Sequence, residues 1–240
     1  MIDFIESFLE LIYPEKNICM MCDKYDDSIG ELYICKNCEK SIKKIAPPYC
    51  VKCSKPLDYD SKTNLCHDCQ IFEKSFETSR TLYIYDGLIK KAIYNFKYYN
   101  KPYYYRFFGN SLVKFIRETG YLDYSYILSV PLHIIKLRER GYNQSELVAS
   151  HIAKKLDIPY INALIRTKNT TKQSIKTKED RRKSMKNAFE IKKGKKYQII
   201  KNSSVLLVDD VYTTGSTADE CSKTLLNYGV KKVYVLTIAR

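Results

Sequence analysis

Residues 205–217 read VLLVDDVYTTGST. Four consecutive apolar residues suit a central parallel strand covered on both faces. Asp209 and Asp210 then fall at the carboxyl end of that strand, where open α/β sheets bind their ligands. The turn Thr213, Thr214, Gly215, Ser216, Thr217 opens a predicted helix over 216–228, so its amides converge on one point with the helix dipole behind them. Such a turn holds a phosphate without any lysine. Neither the G-x-x-x-x-G-K-S/T loop nor the G-x-G-x-x-G dinucleotide turn is present. Two carboxylates beside a bound monophosphate suit the vicinal hydroxyls of a ribose, whose O–H groups they accept. The stretch is a candidate ribose 5-phosphate cradle.

Outward from it, the chain keeps an α/β rhythm. TLYIY at 81–85 suggests a strand, 87–98 a helix with Leu88, Ile89, Ile93 and Phe96 inward, and 101–120 a second helix ending at Gly120. YILSV at 126–130 is a short buried strand, and 142–156 an amphipathic helix with Leu147, Ile152 and Leu156 inward. The helix 216–228 followed by KVYVLTI at 232–238 completes a βαβ unit with strand 205–208. The expected class is α/β, a mainly parallel, doubly wound sheet.

Before residue 76 the pattern is different. Eight of nine cysteines form Cys-x-x-Cys pairs, Cys19/Cys22, Cys35/Cys38, Cys50/Cys53 and Cys66/Cys69, and the second two pairs repeat the first two 31 residues later. Thiols at this spacing, in a chain that opens without a recognisable secretion signal, favour tetrahedral zinc over disulfides. Two closed four-cysteine sites are structural, because neither leaves a position open for chemistry. Sequential sets, each closing a short loop, are simpler than an interleaved arrangement; both remain open at this point. His67 reads as a solvated turn residue and Cys221 as a small core residue. The expected organisation is an amino-terminal helix and double zinc ribbon over 1–75, then an α/β domain over 76–240.

The 240 residues carry 41 Lys and Arg against 27 Asp and Glu. The imbalance is local: residues 1–75 have net charge −3, residues 76–240 net +17, and 166–201 alone holds 14 basic and 3 acidic side chains. An anionic partner is implied for the second part. No apolar run approaches the ~18 residues of a membrane span, and the amino terminus MIDFIESFLELIYPEKN lacks a basic n-region, so a cytoplasmic protein is expected.

VLLVDDVYTTGST is similar, without a gap, to the phosphoribosyl-pyrophosphate signature of type I phosphoribosyltransferases. The order of a double zinc ribbon, VPLHIIKLRERGYNQSELVA, TKQSIKTKEDRRKSMKNAF and a last strand VYVLTIAR resembles the ComF (ComFC-like) competence family over essentially the full length. The resemblance implies that Asp209 and Asp210 hold the ribose hydroxyls and Thr213, Thr214, Gly215, Ser216 and Thr217 the 5-phosphate. It places a pyrophosphate-binding loop at Pro131, Leu132, His133 and Ile134. It makes 166–182 a closing loop with Gln173 and Arg181 at recognisable positions. Lys136, Arg138 and Arg140 read equally as phosphate contacts or as a solvated helix start.

Two structural zinc ions, Mg²⁺ accompanying phosphoribosyl pyrophosphate, single-stranded DNA and proteins of the uptake machinery are the implied cofactors and partners. In a working transferase the same Asp209 and Asp210 would be the catalytic pair, with displacement at the anomeric carbon and pyrophosphate leaving. Only Ala239 and Arg240 follow the last strand, so a carboxy-terminal base-holding hood is not expected, and an acceptor pocket would come from 76–125 or the ribbons. A DNA-uptake accessory and a salvage phosphoribosyltransferase are therefore the competing readings.

Overall fold

The computed structural model describes residues 17–59, 63–121, 123–169, 177, 180 and 184–240. A four-stranded parallel sheet forms its centre, in the order β1 (Ser79–Tyr83), β6 (Lys232–Ala239), β5 (Ser204–Val211), β2 (Tyr126–Ser129). The apolar residues of β5 alternate between two cores. Leu206 and Val208, with Leu236 and Ile238 of β6, face α3 (Gly87–Tyr98), α4 (Tyr104–Thr119) and α6 (Gln144–Leu156). Val205 and Leu207, with Val233 and Val235, face α7 (Ser216–Tyr228) and a small antiparallel pair, β3 (Leu164–Arg166) and β4 (Phe189–Ile191). Helices on both faces of a parallel sheet are the doubly wound α/β class, as the sequence predicts. Phe96, Phe107 and Phe108 are fully buried in the first core, and each contributes about 1.5–3 kcal/mol by leaving water.

Helix α3 occupies the predicted residues, and Gly120 ends α4 in the left-handed conformation. Ile152 is buried, while Leu88, Leu147 and Leu156 are only partly so. Strand β1 lies two residues earlier than the sequence predicts, because its partner β6 runs out at Ala239, opposite Tyr83. Beyond it, the Ile84 amide donates to Lys43 O and the Tyr85 amide to Arg240 O. A 3-10 turn at Lys195–Ile200 and α5 (Ile134–Arg140) accompany the β3–β4 pair in this part of the chain.

The cysteine-rich segment docks on the β1 edge of the sheet. Ser79 N donates to Lys52 O at 2.8 Å, Ser54 Oγ to Ser79 O at 2.8 Å, and Ile45 N to Leu82 O at 2.9 Å. Covering an edge strand in this way removes a row of exposed pairing groups.

Candidate ligand site and metal centres

Two four-cysteine clusters are built on the same local geometry, repeated at the 31-residue interval. Each begins with a bridged hairpin, Ile18 to Tyr25 and Tyr49 to Pro56. Each turns through a left-handed residue just after its first Cys-x-x-Cys, Asp23 at φ 58° and Ser54 at φ 57°. The third cysteine caps a short helix, Cys35 before α1 (Lys36–Ser41) and Cys66 before α2 (His67–Ile71). The sulfurs of Cys19, Cys22, Cys35 and Cys38 lie within 4.8 Å of one another, as do those of Cys50, Cys53, Cys66 and Cys69. Sequential pairing is therefore the arrangement the fold makes. His67 is exposed and stands outside both sets, and Cys221 is buried in the core against α7's neighbours.

The donor sets fit zinc. Thiolates at ~2.3 Å around a tetrahedral ion stand about 3.8 Å apart, and Cys22 to Cys35 is 3.9 Å, Cys53 to Cys66 3.6 Å. Burial raises the Cys38 and Cys69 thiols well above the ordinary range. At Cys19 burial also raises the thiol, but the amides of Cys35 and Met21, at 3.3 and 3.4 Å, outweigh it and bring it down to about 7. Four gathered sulfurs, some hydrogen-bonded as thiolates and some protonated when metal-free, are what a divalent soft-ligand cation neutralises.

The second site lies at the carboxyl ends of β2 and β5. These strands pair in register, Ser129 with Val208, and Val130 N donates to Val208 O at 2.9 Å. Asp209 and Asp210 are thus still on the strand, which extends to Val211 because Val211 pairs with Ala239. Asp210 Oδ2 meets Lys97 Nζ of α3 at 2.8 Å. Asp209 Oδ1 accepts from Ser145 Oγ at 3.1 Å and from the Asp210 amide at 2.8 Å. Burial, and then the neighbouring Asp210 charge, raise the Asp209 carboxyl to about 7.

Sequence reading missed Lys97 and Ser145. Ser145 sits in the first turn of α6, where Asn143 caps by accepting from the Ser145 amide and also donates to Val130 O at 3.0 Å. Gln144 Nε2 and Tyr142 OH both donate to Phe96 O, the residue before Lys97. GYNQS therefore fastens the last turn of α3 beside the carboxylates. The pattern Asn-x-x-Glu at 143–146, a helix-start signature, was the available signal for Ser145; a lysine on a helix face gave none for Lys97.

The turn after β5 leads directly into α7 at Ser216. Gly215 takes φ 74° ahead of α7, and a Cβ there would collide with the Tyr212 hydroxyl and ring, so only glycine fits. Thr214 Oγ1 and Ser216 Oγ share a hydrogen bond at 2.8 Å. Thr213 is exposed, and Thr217 Oγ1 lies 3.9 Å from Met185 Sδ. On the loop from β2 into α5, Pro131 is buried and Leu132 and His133 are half-buried; Ile134, the first residue of α5, is exposed. Gln173 and Arg181 lie outside the described residues. Arg166, at the end of β3, is lowered from its usual range chiefly by burial, an effect partly opposed by Cys221 and Asp209.

A groove of about 810 Å³ opens from Lys97 along α5, lined by Tyr98, Lys136, Arg138 and Arg140. Arg140 stacks over the Tyr98 ring at 5.5 Å. Beside it, Tyr94, Tyr98 and Tyr99 form an exposed cluster with ring centroids 4.9 and 5.7 Å from Tyr94, half or more of each residue reaching solvent.

The raised Asp209 carboxyl has a stability consequence. Its folded value near 7 exceeds the unfolded one near 3.8, so the native state binds the proton more tightly. That contribution is complete below about pH 4 and is lost as pH rises through about 7. Asp209→Asn, which needs no ionisation, is expected to show a melting temperature that gains on the wild type between pH 4 and 7 and stays above it at pH 8. A difference independent of pH would show that Asp209 is not buried as described.

The chain matches the double zinc ribbon domain family over residues 8–70 and the phosphoribosyl transferase domain family over 142–240. It is 34% identical over 221 residues to "Competence protein F" of Haemophilus influenzae, covering 88% of this chain and 94% of that one. It is 29% identical to "Competence protein ComFC" of Bacillus subtilis, covering 89% and 90%. It is 34% identical to "DNA utilization protein YhgH" of Escherichia coli O157:H7 over about half of each chain, 52% and 53%.

Proposed function

The chain belongs to the competence protein F family, and we propose that it binds a phosphoribosyl ligand at the β5–α7 turn and single-stranded DNA in the adjoining groove, serving DNA uptake. A competence role and a phosphoribosyl transferase domain are the family's own marks. The finer reading rests above all on one observation. Two carboxylates, held by Lys97 and Ser145, adjoin a glycine-led helix start with hydroxyls at 213–217.

In this reading Thr213 to Thr217 take the 5-phosphate with backbone amides and hydroxyls. Asp209 and Asp210 accept the ribose hydroxyls, and the ion pair with Lys97 holds Asp210 aimed at them. The loop Pro131–Leu132–His133–Ile134 faces the pyrophosphate. Pyrophosphate oxygens are hard donors that bring magnesium with them, and its charge offsets theirs. Gln173 and Arg181 belong to the segment that would close over the ligand. The domain division at residue 75/76 is part of the same proposal.

The groove supports the DNA arm. Exposed aromatics stack bases while cations follow phosphates; Tyr98 lines the groove with Lys136 and Arg138, and Tyr94 and Tyr99 continue its aromatic cluster. Anisotropy of a labelled single strand is expected to show binding that weakens with salt. Lys136→Gln with Arg138→Gln should reduce the logarithmic salt slope by about 1.4, two phosphate contacts' worth for a single strand. Tyr94→Ala, Tyr98→Ala and Tyr99→Ala together should weaken binding by at least ~1–3 kcal/mol without changing phosphoribosyl affinity. No DNA binding at low salt, together with pyrophosphate release in the presence of one nucleobase, would instead make the protein a salvage transferase.

A further inference from the structure

The two cysteine sites differ in what they touch. The first is tied to α4: Tyr104 OH donates to Met20 O at 2.7 Å and Asn110 Nδ2 to Glu31 O at 2.5 Å. The second stands directly behind the β5–α7 turn. Arg240 donates to Cys53 O and, at 3.3 Å, to Cys53 Sγ. The same guanidinium lies 4.9 Å from the centroid of the Tyr212 ring. Tyr212 is buried, and its hydroxyl and ring fill the space under Gly215. Phe76, just past the second cluster, meets Tyr212 edge-on at 6.4 Å. A parallel link runs from Ser75 N to Asp219 Oδ1 in the first turn of α7, at 2.8 Å.

We propose that Arg240 and Tyr212 couple the second cysteine site to the ligand cradle, so that zinc held at Cys50, Cys53, Cys66 and Cys69 and a phosphoribosyl ligand stabilise each other's binding. The inference rests on the phosphoribosyl reading and adds a regulatory device to it. A metal ion fixes Cys53, the hydrogen bonds to Cys53 fix Arg240, and the guanidinium presses Tyr212 against the turn whose backbone the phosphate uses. Outer partners of metal ligands commonly govern both metal affinity and the geometry around it. Thermodynamic linkage makes the effect reciprocal: if zinc at this site tightens ligand binding, ligand must tighten zinc binding by the same factor. The first site, whose contacts run to α4, takes no part. Arg240 is a positioning residue, acting through Tyr212 on the turn.

The test uses the full zinc-loaded chain, a chromogenic chelator, and phosphoribosyl pyrophosphate with magnesium as the probe, magnesium alone being the control. At competition equilibrium with the chelator, the probe is expected to make one of the two zinc equivalents about 10-fold more tightly held while the other is unaffected. Arg240→Gln is expected to retain two zinc ions by elemental analysis, to lose that protection and to bind the probe more weakly. Arg240→Lys keeps the charge but not the stacking plane, and should restore part of both effects, which a variant that merely misfolds would not do. Calorimetric binding of the probe with both zinc affinities unchanged, or wild-type affinity in Arg240→Gln, overturns the coupling while leaving the cradle intact. Absence of calorimetric binding to the wild type overturns the cradle and the coupling with it.

Discussion

Replacing Cys35 with alanine is expected to lower the zinc content from two ions per chain to one and to unfold the first ribbon locally. Cys35 contributes twice, as one of four gathered sulfurs and as the cap whose Sγ accepts from the Cys38 amide before α1. Its loss leaves three thiols around a site whose metal supplies on the order of 10 kcal/mol of folding free energy in small zinc peptides. The apolar residues between the cysteines, Met20, Met21 and Ile34, are buried in the core shared with α4. Loosening of the first ribbon therefore exposes the face of α4 that carries Tyr104 and Asn110, and limited proteolysis should begin within residues 17–45. The second ribbon should keep its ion, because its cluster and its contacts to β1 and Arg240 are separate. Fully reduced wild-type protein free of zinc, and indifferent to chelators in its melting temperature, would contradict this.

The second large effect falls on the carboxylates. Asp209→Asn with Asp210→Asn should remove two charge-assisted hydrogen bonds to the ribose, about 1.5–3 kcal/mol each, and so weaken phosphoribosyl binding at least ~100-fold. The single substitutions should move stability in opposite directions. Asp209→Asn relieves an ionisation that burial opposes. Asp210→Asn strips the partner from Lys97, whose ammonium is mostly covered and whose charged form Asp210 favours against burial; a cation left unpaired there is destabilising. Affinity in the wild type should also fall about tenfold from pH 8 to pH 6, as Asp209 takes up its proton near 7.

The parts of this architecture that were legible in the sequence are those that a single segment determines. VLLV at 205–208 must be covered on both faces wherever it lies, and so it announces a central strand. The cysteine interval of 31 residues carries its geometry with it, down to the matching left-handed turns at Asp23 and Ser54. What escaped depends on segments meeting from a distance. Lys97 reaches Asp210 across 113 positions, and Ser145 reaches Asp209 across 64. The docking of the ribbons on β1 is made largely by backbone groups, such as Ser79 N to Lys52 O, which no side-chain pattern records. The β3–β4 pair has three residues in each strand, too few to show alternation. Arg240 reads as one more basic residue until the fold brings it to Cys53 and Tyr212.

The claim on which the rest depends is that the β5–α7 turn with its two aspartates holds a phosphoribosyl group. Titration calorimetry of the zinc-loaded protein with phosphoribosyl pyrophosphate and magnesium at pH 8 tests it most directly, run beside Asp209→Asn/Asp210→Asn protein with its zinc content and melting transition verified. Saturable binding of one ligand per chain, reduced at least ~100-fold in the double variant, is the expected result. Equal affinity in both proteins would place the ligand elsewhere, and no heat of binding in the wild type would remove the site altogether.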